Sequence, residues 1–176
     1  MIAAALAALC ACEDKPVDPA AAARANTVAA APAKPQEAAE SFCDAADPAG
    51  AGPAVKLPAL TGGTEPGRAT TWRWINLWAT WCKPCIEEMP RLRRFRDQQA
   101  AAGRTIELVF VSVEPTDQGL RLADPDALPG WLRDLGAAGG SIPIHILVDP
   151  QGKRRCVRAG PVNDRDLPTI ERLMGG

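Results

Sequence analysis

One stretch, residues 74–90 (WINLWATWCKPCIEEMP), constrains this chain more than any other. The mostly apolar run Trp74-Ile75-Asn76-Leu77-Trp78 passes through Ala79, Thr80 and Trp81 into two cysteines with two residues between them, and a helical pattern begins at Ile86. Strand, tight turn and helix are predicted, with Cys82 at the first exposed helical position and Cys85 one turn inside. Cysteines three apart at a helix N-terminus can close on each other as a disulfide. The unpaired N–H groups and positive dipole end of such a helix favour an anion, so the Cys82 thiol is expected to ionise more readily than a free one, and Lys83 adds positive charge nearby. Such geometry suits a reversible dithiol/disulfide pair.

Competing uses of the pair fit less well. Zinc needs further ligands, and the rest of the domain offers only Cys43, Cys156 and His145, far apart in sequence. Covalent haem attachment needs a histidine directly after the second cysteine, where Ile86 stands. No metal site and no cofactor is therefore expected. A module in which the two thiolates hold Cu(I) stays open as an alternative, as does a dithiol oxidase, which differs from a reductase only in redox potential.

Beyond the cysteines, Met89, Leu92 and Phe95 recur at helical spacing up to Gly103, with Pro90 inside the helix. Residues 106–113 (IELVFVSV) read as a strand buried on both faces, and 114–126 as a polar loop. Leu128, Trp131, Leu132 and Leu135 mark a helix with Asp126 as its expected N-cap and Gly136 as its stop. Residues 142–148 (IPIHILV) form a strand that turns at 149–152 into a second, a hairpin. Asn163 or Asp164 caps a last helix bearing Leu167, Ile170, Leu173 and Met174. On the N-terminal side, 70–78 is a strand and 54–57 a short edge strand. This order of elements implies an α/β fold, a mixed central sheet flanked by helices.

The N-terminal region is of another kind. Residues 1–11 are apolar but too short to span a bilayer, which takes roughly 20 residues, and suit the core of a signal peptide. Leu9 and Ala11 before Cys12 resemble a bacterial lipobox, making Cys12 the expected lipidated residue. The usual basic n-region is missing, so the coding start is expected upstream of Met1. Residues 12–41 read as a disordered tether whose prolines at 16, 19, 32 and 35 stiffen it; a flexible chain of this length would reach roughly 30 Å. The folded domain is then 42–176. A net charge of −1 on 176 residues, without a basic face, leaves no footprint for nucleic acid.

Two features carry a resemblance to a known family: the WCKPC run at a strand-to-helix turn, and Ile142-Pro143 opening a strand about 60 residues later. Together with Asn76-Leu77-Trp78, Pro90 five residues after Cys85, and IPIHILVDPQGK, they make residues from about 53 onward resemble membrane-tethered thioredoxin-like oxidoreductases of the TlpA/ResA type. The resemblance implies a thioredoxin fold and a protein-disulfide oxidoreductase. It implies that Pro143 is a cis-proline beside the cysteines and that its flanking backbone pairs with an extended substrate. Trp81, Lys83, Pro84, Ile142 and Pro143 would then meet substrate. Cytosolic thioredoxins carry a buried aspartate where Asn76 stands, so the proton-handling role passes to Glu88, which matches an acidic residue of the ResA-like subgroup; the alternative is a solvated first-turn residue like Glu87. The link from Leu135 to Ile142 is short for the family, which bears on the substrate surface.

The implied setting is the bacterial cell envelope, periplasmic and lipid-anchored. The implied partners are proteins with disulfides or dithiols and a membrane thiol-electron carrier, with cytochrome c or metal-centre maturation as the field of action. Cys43 and Cys156 remain after the other cysteines are assigned. In an exported protein they read as a structural disulfide, against the alternative of a buried Cys156 and a free Cys43. His145, the only histidine, reads as a core residue with one hydrogen bond, a tuning role being open.

Overall fold

In the computed structural model the described residues are 35–47, 49–137 and 140–175. The expected signal segment and Cys12 lie outside them. Helix α1 (Pro35–Phe42) leads into β1 (Ala45–Ala46) and β2 (Leu60–Thr61), then β3 (Trp72–Trp78), α2 (Lys83–Ala101), β4 (Ile106–Ser112) and β5 (Arg121–Leu122). Helix α3 (Leu128–Asp134), the hairpin β6 (Ile144–Val148) and β7 (Arg154–Ala159), and α4 (Leu167–Leu173) complete the order. The strands form one sheet, β1-β7-β6-β3-β4-β5-β2. At its centre β3 runs parallel to β4 and antiparallel to β6. The unit β3-α2-β4-α3-β6-β7-α4 on a β7-β6-β3-β4 core is a thioredoxin fold. Among the described residues no helix is long and apolar enough to cross a membrane.

Strand β3 is central because its side chains serve both faces, the period-2 alternation of a strand buried on two sides. Ile75 and Leu77 join Val109, Val111, Ile144 and Ile146 under α3, through Leu132 and Leu135. Trp74 faces the other way, with Leu92 and Phe95 of α2, Leu147 of β6 and Ile170 and Leu173 of α4. Phe95 meets the Trp74 ring edge-on at 5.9 Å between centroids, and burying such a side chain contributes roughly 1.5–3 kcal/mol. Each sheet face therefore has its own core. Asn76 and His145, direct register partners across β3 and β6, are both buried polar residues in this otherwise apolar setting.

Several elements differ from those expected. Pro35–Phe42 is helical and its Ala39 is fully buried, so these residues are not the disordered chain expected through residue 41. Segment 54–57 makes only an isolated bridge, Ala54 to Lys153, because Pro53 and Pro58 on either side lack the N–H a strand edge would donate. The loop 114–126 contains β5, which pairs with both β4 and β2. Asp124, not Asp126, caps the turn before α3 by accepting the Asp126 N–H at 3.0 Å. Pro125 explains the shift: proline favours the first helical position, which makes its predecessor the cap. Gly136, at φ +80°, ends α3. Ala137 N–H reaches Leu132 O and Gly136 N–H reaches Arg133 O, both at 2.9 Å, the paired bonds that close a helix through a left-handed residue.

Candidate active site

The end of β3 delivers the chain to α2 through Ala79, Thr80 and Trp81. Cys82 is the N-cap of α2, in extended conformation, and its Sγ accepts the Cys85 N–H at 3.3 Å. Ile86 N–H bonds Cys82 O at 3.2 Å, closing the first turn, with Pro84 early in the helix where its missing N–H costs nothing. Cys82 and Cys85 are joined as a disulfide, Cα atoms 5.3 Å apart. Cys82 is only 4% exposed, a correction to the exposed position expected for it: bonded to Cys85, it turns in against Trp78 and Ala79. The residues that reach solvent are its neighbours, Trp81 at 70% and Ile86 at 44%.

Opposite the disulfide stands the start of β6. The Ile142–Pro143 peptide is cis, Pro143 O accepts the Gly160 N–H at 2.8 Å, and Ile142 packs on the cluster of Trp78, Ala79, Cys82 and Cys85. Lys83 points outward, paired with Glu87 at 3.6 Å; both side chains are well exposed, so the pair contributes about 0.3–0.5 kcal/mol. The fold thus brings Cys82, Cys85 and Ile142 together and leaves Lys83 and Trp81 on the surface beside them.

Glu88, one turn along α2 from Cys85, is 1% exposed, which removes the reading of a solvated first-turn residue. Its Oε1 accepts Asn76 Nδ2 at 2.9 Å and its Oε2 accepts the Val162 N–H at 2.9 Å. His145 Nε2 lies 3.3 Å from Oε1 without the alignment of a full hydrogen bond. His145 Nδ1 accepts the Trp74 indole N–H at 3.1 Å. A carboxylate surrounded by donors, next to a dithiol, can take a proton from a thiol that is about to attack.

Glu114 holds the turn before Cys82. Its Oε1 accepts the Thr80 N–H at 2.6 Å and the Thr80 hydroxyl at 2.7 Å. The Thr80 backbone bond first, and then its hydroxyl, hold the Glu114 carboxyl below its ordinary value of 4.5. Read from sequence, Glu114 is one residue of a polar loop. No local sequence signal marks it: β4 is parallel to β3 with Trp78 opposite Ser112, and only this register puts Glu114, two residues past Ser112, beside the turn after Trp78.

Cys43 and Cys156 are also joined, Cα atoms 5.5 Å apart and 113 residues apart in sequence. The bond ties the end of α1 to β7 within the core shared by α2 and α4.

Fold and site together define a class: a thioredoxin-fold protein with a dithiol/disulfide pair capping a helix beside a cis-proline. No family model matches the chain. Among proteins of known name, it is 30% identical over 87 residues to the thiol-disulfide oxidoreductase ResA of Bacillus thuringiensis, covering 45% of this chain and 49% of ResA. It is 31% identical over 114 residues to the thiol:disulfide interchange protein DsbE of Yersinia pestis, 58% of each. The chain spans about half the length of the ResA proteins it matches. A solved thioredoxin domain of a thiol-disulfide oxidoreductase from Bacteroides vulgatus superposes with a TM-score of 0.46 at 20% identity, over 60% of this chain and 80% of that one. The chain is thus similar to ResA and DsbE.

Proposed function

We propose that the protein is a thiol:disulfide oxidoreductase that reduces disulfides of proteins outside the cytoplasm through Cys82 and Cys85. The observation that carries this reading is the Cys82–Cys85 disulfide at the start of α2, packed against Ile142 of the cis Ile142–Pro143 peptide. The names of the relatives favour exchange over copper carriage.

In the reduced protein, the Cys82 thiolate sits at a helix N-terminus with the Cys85 N–H directed at its sulfur. It attacks one sulfur of a substrate disulfide, forming a mixed disulfide and releasing the other substrate sulfur as thiolate. Glu88 then takes the Cys85 proton, Cys85 attacks Cys82, and the second substrate thiolate leaves. The substrate gains two electrons and the protein returns to its disulfide, to be reduced again by a dithiol donor. Trp81, Lys83, Pro84, Ile142 and Pro143 form the substrate rim; Trp81 offers an exposed apolar face and the chain at Ile142–Pro143 an extended backbone for strand addition.

The finer assignments belong to the same reading: a signal segment ending at a lipidated Cys12, a periplasmic location on a membrane tether, a membrane thiol-electron carrier as the dithiol donor, and substrates in cytochrome c or metal-centre maturation. Cys85→Ser tests the reaction itself. It should accumulate substrate linked through Cys82, visible by mass spectrometry and released by reductant. Absence of any mixed disulfide in the folded variant would overturn the proposal.

A further inference from the structure

The buried polar group around Glu88 contains a histidine that the exchange reaction has not used. His145 comes from β6, Asn76 and Trp74 from β3, Glu88 from α2, and the Val162 N–H from the loop after β7. All four side chains are buried. Asn76 Oδ1 and His145 Nε2 lack a hydrogen-bond partner there, and the other donors and acceptors of the group are paired, as buried polar groups must be to avoid a large cost.

The matching fixes the proton on the histidine ring. An indole nitrogen only donates, so Nδ1, which receives the Trp74 N–H at 3.1 Å, is the bare acceptor. Asn76 reaches the same Nδ1 at 3.4 Å with Nδ2, the atom that also donates to Glu88 at 2.9 Å. Two donors therefore face Nδ1, and the ring proton resides on Nε2, which lies 3.3 Å from Glu88 Oε1. Placing a second proton on the ring would break the Trp74 bond.

Two arginines are fixed on the elements that flank this group. Arg158 of β7 is the register partner of His145; its guanidinium lies over the Phe42 ring and donates to Phe42 O at 2.8 Å. Arg91 of α2 donates to Val162 O at 2.9 Å and pairs with Asp164, which positions the Val162 N–H on Glu88. Toward α1 and α4 the ring meets apolar side chains, Phe42, Ile170 and Leu173.

We propose that His145 is a positioning residue that acts through Glu88: with Nδ1 occupied by the Trp74 N–H and its own proton on Nε2, it holds that N–H 3.3 Å from Glu88 Oε1, off the line of a full hydrogen bond, where its positive end favours the carboxylate that receives the Cys85 proton. This inference rests on the exchange reaction proposed above. In the resolving step the Cys85 proton passes to Glu88, the Cys85–Cys82 bond forms and the Cys82–substrate bond breaks. His145 donates no proton and carries no electrons.

The test compares His145→Leu, which lacks a donor, with His145→Gln, whose terminal amide N–H extends about as far as the ring Nε2. Each full-length reduced protein is mixed with a chromogenic aryl disulfide across a pH series. The first aryl thiolate reports attack by Cys82 and the second reports resolution by Cys85. In His145→Leu the acid limb of the second release should move to higher pH, because the Nε2–H that favours the Glu88 carboxylate is gone. Resolution on the limb should slow by about twofold to threefold, the low end of what a hydrogen bond contributes, with an unchanged plateau and an unchanged first release, and His145→Gln should stay near wild type. Superimposed profiles of wild type and His145→Leu would overturn the assignment, as would a Gln variant that behaves like Leu. If His145→Leu does not fold, His145→Asn replaces it, since its amide stops at the position of Nδ1. A wild type that releases no second thiolate would instead overturn the exchange reading. The assignment then stands or falls on nitrogen NMR of the oxidised protein, where the single histidine makes the signal unambiguous: an Nε2–H tautomer upholds it and an Nδ1–H tautomer overturns it.

Discussion

Among the described residues, two disulfides differ little in exposure and greatly in everything else. Cys43 and Cys156 are 7% and 4% exposed, Cys82 and Cys85 4% and 0%. Burial alone therefore does not tell a staple from a reactive pair. Sequence separation does: the first bond closes 113 residues and the second closes three. In the chain-entropy model the long loop stabilises the fold by about 4–5 kcal/mol and the short one by about 2 kcal/mol. The surroundings differ as well. Cys43 and Cys156 sit in an apolar cluster with Trp74, Ile170 and Leu173, and the Trp74 indole N–H is taken up by His145. Cys82 caps a helix, receives an N–H at 3.3 Å, and has a buried carboxylate one turn beyond its partner. The helix terminus stabilises the thiolate that reduction creates.

Removing each pair should separate these roles most widely. Cys43→Ala with Cys156→Ala should lower the unfolding free energy by about 2–5 kcal/mol in urea titrations while disulfide reductase activity of the folded variant stays within about twofold. Cys82→Ser should abolish that activity and leave the urea midpoint of the reduced protein nearly unchanged. A stapled pair whose loss also stopped turnover would collapse the distinction.

The carboxylate behind the reactive pair gives the next largest effect. Glu88→Gln keeps the size of the side chain and removes the proton acceptor, and loss of a positioned general base costs about a hundredfold or more. The rate of resolution should fall by that factor in single-turnover measurements, while formation of the mixed disulfide at Cys82 proceeds at its normal rate. Equal slowing of both steps would assign Glu88 to structure.

Glu114 sharpens the comparison on a smaller scale, because nothing like its grip on Thr80 supports the staple. Its carboxyl is lowered in the folded protein by the Thr80 N–H and hydroxyl. The order it confers is therefore complete above the unfolded value and is lost as pH falls through the lower folded value. Protection of the Thr80 amide from hydrogen exchange should persist at neutral pH, decline only below about pH 4, and be absent at all pH values in Glu114→Ala. Acid-insensitive protection would contradict this.

The same contrast explains what could be read from the chain alone. Strand β3, α2 and β4 were legible because a continuous apolar run, a cysteine pair and a 3.6-residue period occupy one short stretch. The core order of strands and helices followed from similar periodicities. Strands β1, β2 and β5 were not legible: each is two residues long, and so short a strand is defined by its partner. The helix at Pro35–Phe42 was hidden by the alanine-rich composition around it. Within the site, Cys82, Cys85 and Glu88 share one local motif. Asn76, His145 and Val162 join them only through the register of β3 with β6 and the loop beyond β7, which no local pattern encodes. Glu114 likewise acquires its partner from the parallel pairing of β4 with β3.

The central claim is that Cys82 and Cys85 alone form a reversible redox couple, and equilibration in thiol–disulfide buffers of graded potential tests it most directly. After acid quenching and alkylation, peptide mapping reads each pair separately. The account predicts one two-electron transition for Cys82–Cys85, near about −270 mV for a reductant, with Cys43–Cys156 still oxidised across that range. A midpoint near about −120 mV would mark the protein as an oxidant. A Cys82–Cys85 bond that resisted reduction while Cys43–Cys156 opened would contradict the account outright.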